Sequence, residues 1–264
     1  MNIFKIIEEI EKTDPEVTQR LSRRDMFRQS SSFGKKVAIA AIPLAMGSMF
    51  KKAYGQSSSS VTEVLNYALT LEYLENEFYA MGVAASGLIP ANRLAIFQQI
   101  SKHEAAHVKF LKEVLTSMSA TPVEKPAFDF TAGGSFSDVF TNYDTFLALA
   151  QAFEDTGVRA YKGRAGELIS NDTVLTAALQ IHSVEARHAS MVRRLRAEKG
   201  WISGSSRGSL PSATQAVYDG EDNVTQGGAN VTTLGYSAQT VTEAFDEPLA
   251  PDKVLAIAGL FIKK

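Results

Sequence analysis

The chain has 264 residues, enough for one large domain or two small ones with an ample core. A formal net charge of −2 removes any bulk electrostatic case for nucleic acid as a partner. With no cysteine, disulfides, thiolate catalysis and zinc–thiolate sites are excluded, so any metal must rely on oxygen and imidazole donors.

Residues 1–55 read as an export signal separate from the fold. Ser22-Arg23-Arg24-Asp25-Met26-Phe27-Arg28 resembles the twin-arginine motif, which implies the twin-arginine export machinery as a partner and a periplasmic or cell-envelope location. The apolar run Val37 to Phe50 follows, and Ala53-Tyr54-Gly55 supplies small residues at a cleavage point before Gln56. That run is shorter than the roughly 20 residues a membrane span needs. Two alternatives stand beside this reading: a chance Arg-Arg pair ahead of a buried helix, and a leader kept as an anchor. The leader takes 10 Lys+Arg and 6 Asp+Glu, leaving 17 against 23 and a net of −6 for the remainder.

Ser57 to Ser60 is a polar linker that offers an N-cap to the next segment. Four helices are predicted at 56–200. The first runs from Val61 to about Val83, and the second from Pro90, suited to a first helical turn, to about Ser117. The third runs from about Tyr143 to Leu168. The fourth is capped by Asn171 or Asp172 and ends near Lys199. The connection Thr121 to Ser137 is too long for a hairpin between neighbouring helices. It is expected to cross the length of an up-down-down-up bundle. Trp201 to Pro248 has no sustained period and reads as a long ordered loop, and apolar Pro251 to Ile262 as a short final helix. Together 201–264 form an extension packed on the bundle. Asp219, Glu221 and Asp222 lack calcium-loop spacing and read as a solvated turn. The fold class is all-α: a four-helix bundle with a long crossover, a long loop and a C-terminal helix.

Charges interrupt the apolar stripes of all four helices. Glu72 lies on the first, Glu104 and His107 on the second, Glu154 on the third, Glu185 and His188 on the fourth. Glu72 precedes Glu104 by 32 residues and Glu154 precedes Glu185 by 31, so the two halves nearly repeat. All four histidines fall beside these motifs, as His103 and His107 and then His182 and His188. In a helix i and i+3 share a face, so each Glu-x-x-His pair can serve one metal. Four carboxylates and two imidazoles from four helices are the ligand set of a di-iron or di-manganese bundle. Glu104 and Glu185 are placed to bridge, with Glu72 and Glu154 terminal. Two divalent cations, Mn or Fe, would neutralise four buried carboxylates whose isolated burial costs several kcal/mol each. The competing reading is a buried polar network without metal.

Tyr79 and Tyr161 each lie seven residues beyond a terminal glutamate, on the same face. They read either as hydrogen-bond donors to the carboxylates or electron carriers, or as core tyrosines. His182 is expected to stand behind the ligands, while His103, turned roughly 100° from Glu104, is expected to be peripheral. Glu75 and Asp155 are given solvated or helix-pairing roles.

At these residues the chain resembles the ferritin-like superfamily of bacterioferritins, rubrerythrins and manganese catalases. The stretches Leu65 to Glu75 and Ala152 to Tyr161, with Glu221-Asp222-Asn223 and Glu243 to Pro248, are more closely similar to an exported ferritin-like family that includes plant desiccation-related proteins. This resemblance spans about 60–263 and implies a di-metal centre at the six ligand positions. No compact fifth helix directly follows the fourth, which argues against a 24-subunit storage cage. Redox chemistry on a small oxidant, peroxide or dioxygen, in oxidative or desiccation stress defence is the expected activity. The alternative is a non-catalytic stress-protection or metal-sequestering protein with a structural centre. A catalyst needs an open approach to the metals, whereas a structural centre would be closed by a further ligand, with His182 and Tyr79 the candidates. A homodimer through helix faces is the expected assembly.

Overall fold

The computed structural model describes residues 60–263; the export-type leader read at 1–55 lies outside them. Helix α1 (Val61–Ala84) opens on a capping box in which Ser60 and Glu63 satisfy each other's backbone N–H groups. Helix α2 (Ala91–Ser117) starts after Pro90, and α3 (Tyr143–Ala165) is capped by the Asn142 side chain. Helix α4 (Asp172–Leu195) takes Asn171 as its cap, which accepts from Val174 N–H at 3.1 Å. The third predicted helix reaches Leu168 only as a 3-10 turn, Gly166–Leu168. The fourth stops four residues short of Lys199. Ala197 turns left-handed (φ 61°) and Glu198 N–H bonds back to Arg193 C=O, a Schellman closure that sequence period alone does not reveal.

The helices form two hairpins, α1 with α2 and α3 with α4. The link between the hairpins runs along α1. Thr121 and Val123 bond Asn66, the Tyr73 hydroxyl donates to Val123 C=O, Lys125 pairs with Glu77, and Phe130 packs on Phe78. From Asn66 to Phe78 is about 18 Å of helix, so the crossover traverses the bundle lengthwise. Phe78 anchors an aromatic core, stacked on Phe146 (4.8 Å) and edge-on to Phe153 (5.0 Å). Gly82 is needed beside this core, because a Cβ there would lie 2.3 Å from the Phe146 ring.

Every residue of α3 from Phe146 to Tyr161 is buried, because the extension covers the face that the other helices leave bare. The extension comprises a two-residue hairpin (β1 Thr225–Gln226, β2 Ala229–Asn230), α5 (Ala238–Thr242) and α6 (Pro251–Ala258), with 3-10 turns between. Ile202, Leu210, Val217, Leu249, Val254 and Ile257 form a second apolar cluster with Ala148, Ala152 and Ala160 of α3. The small α3 residues let backbone approach: a Cβ at Gly163 would meet Leu249 C=O at 2.3 Å. The chain end then pairs with the crossover, Asp129 N–H to Phe261 C=O and Lys263 N–H to Ala127 C=O.

Two buried arginines lock the extension. The Arg159 guanidinium meets Glu221 at 2.7 Å and donates to the carbonyls of Val217, Asp219 and Glu247. Arg193 forks onto Asp155 (3.0 and 2.5 Å), and Asp155 also accepts from the Tyr218 hydroxyl at 2.7 Å. Glu221 is therefore no solvated turn residue, although its neighbours Asp219 and Asp222 are exposed. Asp155 takes the helix-pairing role and is buried in doing so. Among the described residues, no helix is long and apolar enough to cross a membrane.

Candidate metal centre

Four apolar helix faces converge on six polar side chains, which the structure brings together from one stripe on each helix. Glu72, Glu104, Glu154 and Glu185 have no exposed surface, His188 is buried, and the His107 side chain is 12% exposed. They resolve into two groups with ligand atoms mutually within 4.8 Å. Glu72, Glu104, His107 and Glu185 form one, and Glu104, Glu154, Glu185 and His188 the other. Glu104 and Glu185 belong to both.

The atoms divide accordingly. His107 Nδ1 lies 3.2 Å from Glu72 Oε2, Glu104 Oε2 and Glu185 Oε1 alike. His188 Nδ1 lies 2.9 Å from Glu104 Oε1, 3.4 Å from Glu154 Oε2 and 3.8 Å from Glu185 Oε2. Each shared carboxylate thus turns one oxygen to each half of the site. His188 Nδ1, Glu104 Oε1, Glu154 Oε2 and both Glu185 oxygens are nonetheless without a hydrogen bond. They are near enough for ion pairing yet misaligned for donation, because they aim at common points and not at one another. Native proteins leave few buried polar atoms unsatisfied, and a pair of cations at those points would satisfy all five.

The tyrosines hold the terminal glutamates crosswise. Tyr79 of α1 donates to Glu154 Oε1 of α3 at 2.5 Å, and Tyr161 of α3 donates to Glu72 Oε1 of α1. Since each tyrosine lies two turns beyond its own helix's glutamate, the exchange requires α1 and α3 to be antiparallel. Burial, followed by the charge of the carboxylate each one faces, pushes both phenols well above the ordinary tyrosine value, so both stay protonated donors.

Of the two histidines outside the six, His103 is placed differently from expectation. His103 is not peripheral: its Nδ1 lies 2.9 Å from His188 Nε2, the rings stack at 5.1 Å, and Gln99 bonds its far side at 2.7 Å. Its 100° offset from Glu104 turns it toward α4, which carries His188. With His188 Nδ1 facing the cluster, its Nε2 is the atom that meets His103, so His103 orients the ring from behind. His182 makes no such contact. Its Nε2 has no partner among the described residues, and burial followed by the charge of Lys162 holds its ring below the ordinary range.

Glu75 was missed. It is 3% exposed, and a Cβ on Gly157 would stand 3.1 Å from its Oε1 and 3.6 Å from Glu185 Oε2, so a fifth carboxylate borders the cluster. Its signal was present at i+3 from Glu72, directly after the apolar pair Tyr73-Leu74. Burial, then Glu185 and the other carboxylates, raise it well above the usual range. A protonated carboxyl is nearly isosteric with an amide. Glu75→Gln is therefore expected to shift the unfolding midpoint by less than about 1 kcal/mol equivalent at neutral pH. A large loss in a denaturant melt would show that Glu75 is ionised.

Without metal the cluster stores protons. Burial pushes Glu104 up to about 7 and Glu154 to about 8. Burial would lower His107, but the surrounding carboxylates of Glu104, Glu185 and Glu72, each 3.2 Å from Nδ1, outweigh it and raise the ring to about 12. Burial likewise opposes the charge on Glu185, yet both histidines hold it down to about 2. Ligation needs these groups deprotonated, so cation uptake releases protons and strengthens as pH rises from 6 toward 8. Titrating metal into weakly buffered apo-protein with an indicator measures this, and uptake independent of pH would contradict it.

A ferritin-like domain profile matches residues 60–198, just over half the chain and the whole of α1 to α4. The chain belongs to the ferritin-like domain family. A comparison with curated proteins gives no match. In this ferritin-like chain the match stops just beyond α4, so the extension with its Arg159 lock lies outside the matched region.

The approach to the centre lies between α2 and α4. A groove of about 640 Å3 there is lined by His103, His107 and His188, with Gln99, Arg187 and Met191. Of the two side chains expected to close the centre, Tyr79 is committed to Glu154, and His182 Nε2 has no hydrogen-bond partner among the described residues.

Proposed function

We propose that this ferritin-like chain is an exported di-metal carboxylate protein acting on peroxide or dioxygen in oxidative or desiccation stress defence. Glu104 and Glu185, which belong to both groups, would serve both metals, with Glu72 and His107 holding one and Glu154 and His188 the other. Two manganese or iron ions held so would supply two-electron exchange with an O–O bond, and oxygen and imidazole donors suit both metals.

The protein's own part is positional. Tyr79 and Tyr161 pin the outer oxygens of the terminal carboxylates, and His103 fixes the His188 ring. The aromatic core around Phe78 keeps water from the α1–α3 side. The observation that carries the catalytic reading is the groove between α2 and α4, which reaches both ligand imidazoles. Export rests on Arg23-Arg24 and the apolar run after it. The more specific likeness to the desiccation-related family rests on the α1 and α3 stretches and the Glu221 and Glu243 segments.

The test is elemental analysis of protein recovered from its native envelope, with peroxide decomposition assayed on the same sample. Two manganese or iron per chain with rapid turnover is the expected result. Two metals without turnover would replace catalysis by sequestration, and no metal would overturn the ligand assignment.

A further inference from the structure

A second cavity, of about 540 Å3, lies between α1, α2 and α4, within the range of about 300–1,000 Å3 typical of small-molecule sites. Leu65, Ala68, Leu111, Val114, Ala178 and Ile181 give it an aliphatic wall. It follows α1 from Val64 to Leu71 and α4 from Val174 to Ile181, two helical turns or about 10 Å. Tyr161 also lines it, so one side chain separates this cavity from Glu72 and the metal cluster.

The cavity also has a polar end. Tyr67 and Arg164 line it, the guanidinium 5.1 Å over the Tyr67 ring. The Tyr67 hydroxyl and Arg164 Nε are buried without a hydrogen-bond partner, and Arg164 is only 8% exposed. Glu167 stands 3.3 Å from Arg164 Nε but is not aligned to accept from it. Burial raises the Tyr67 phenol, so it stays a protonated donor. Tyr67 and Arg164 thus offer unpartnered donors at this end, while Asp172, Thr173, Thr176 and Gln180 supply the remaining polar lining of a mainly apolar chamber. The positive charge of Arg164 is already offset by Glu167, with Asp172 adding a further carboxylate at the rim.

We propose that this cavity binds an extended hydrocarbon chain ending in an uncharged hydroxyl or carbonyl oxygen, which accepts from Tyr67 and Arg164. A carboxylate end is disfavoured because Glu167 and Asp172 together outweigh the single arginine. The inference does not depend on which metal, or whether any metal, fills the neighbouring centre.

The probe is dodecanol, titrated into the purified full chain preloaded with Nile red, with dodecanoate and dodecane as comparators. Dodecanol is expected to displace the dye more strongly than dodecanoate. Ala178→Phe fills the chamber and is expected to weaken dodecanol at least about tenfold, with helicity and metal content unchanged. Tyr67→Phe is expected to weaken dodecanol while leaving dodecane unaffected. Failure of dodecanol to bind, equal binding by Ala178→Phe, or tighter binding of dodecanoate would each overturn the proposal. So would a change of Ala178→Phe from dimer to monomer in sedimentation without a change in displacement, since the face would then belong to a second copy.

Discussion

Glu185→Ala is expected to leave the chain unable to hold two metals, whereas Glu72→Ala is expected to keep one. The difference follows from how the oxygens are divided. Glu185 sends Oε1 toward His107 and Oε2 toward His188, so its loss takes a donor from both groups at once. Of the two histidines in the cluster Glu72 meets only His107, and it belongs to one group. Glu104→Ala is expected to behave like Glu185→Ala, and Glu154→Ala like Glu72→Ala. Metal content per chain after equilibration with excess manganese or iron and desalting reads this directly. Two metals retained by Glu185→Ala or Glu104→Ala would end the bridging assignment. Helical circular dichroism provides the control, since a folded variant without metal differs from one that failed to fold.

Arg159→Ala is the second large effect, on stability. Arg159 is among the largest fully buried side chains, and it serves three backbone carbonyls as well as Glu221. Removing it leaves a buried carboxylate without its counter-charge, which costs about 3–5 kcal/mol. For a chain of this size that is a fall in Tm of roughly 10 °C. The sign of the pH dependence is fixed by Glu221. Burial already raises it to about 7, against the opposing pull of Arg159. A carboxyl whose folded pKa lies above its unfolded value loses stability as pH rises from about 4.5 toward that folded value. The Arg159→Ala defect is therefore expected to be smaller at pH 5 than at pH 8. Adding Glu221→Leu to Arg159→Met is expected to recover most of the loss, because the unpaired charge goes with it. An equal defect at both pH values, by thermal melts, would mean that packing and not charge holds the extension.

Much of the architecture was legible because it rests on local rules. Ser60 with Glu63, Asn171 and the apolar stripes mark helix starts and faces through backbone capping and the helical period, which act within a few residues. The six polar positions that converge in the bundle were legible for the same reason. A charge on an apolar stripe is expensive wherever that stripe is buried, and two near-equal spacings repeat the anomaly. The helix ends were less so, since the left-handed Ala197 carries no compositional mark. Glu75 reads from the sequence as solvated or helix-pairing because its neighbours alone do not show that Gly157, from another hairpin, packs against it.

The sequence by itself determined which faces of four helices are apolar and which six polar groups lie on them. Only the tertiary structure decided which side chains from different helices meet. The antiparallel setting of α1 and α3 exchanged Tyr79 and Tyr161 between Glu154 and Glu72. The position of α4 brought His188 against His103. The return of the extension over α3 turned Glu221 from a turn residue into the partner of Arg159. The physical reason is common to all three: a helical period fixes directions around one axis, whereas distances between axes come from packing the whole chain.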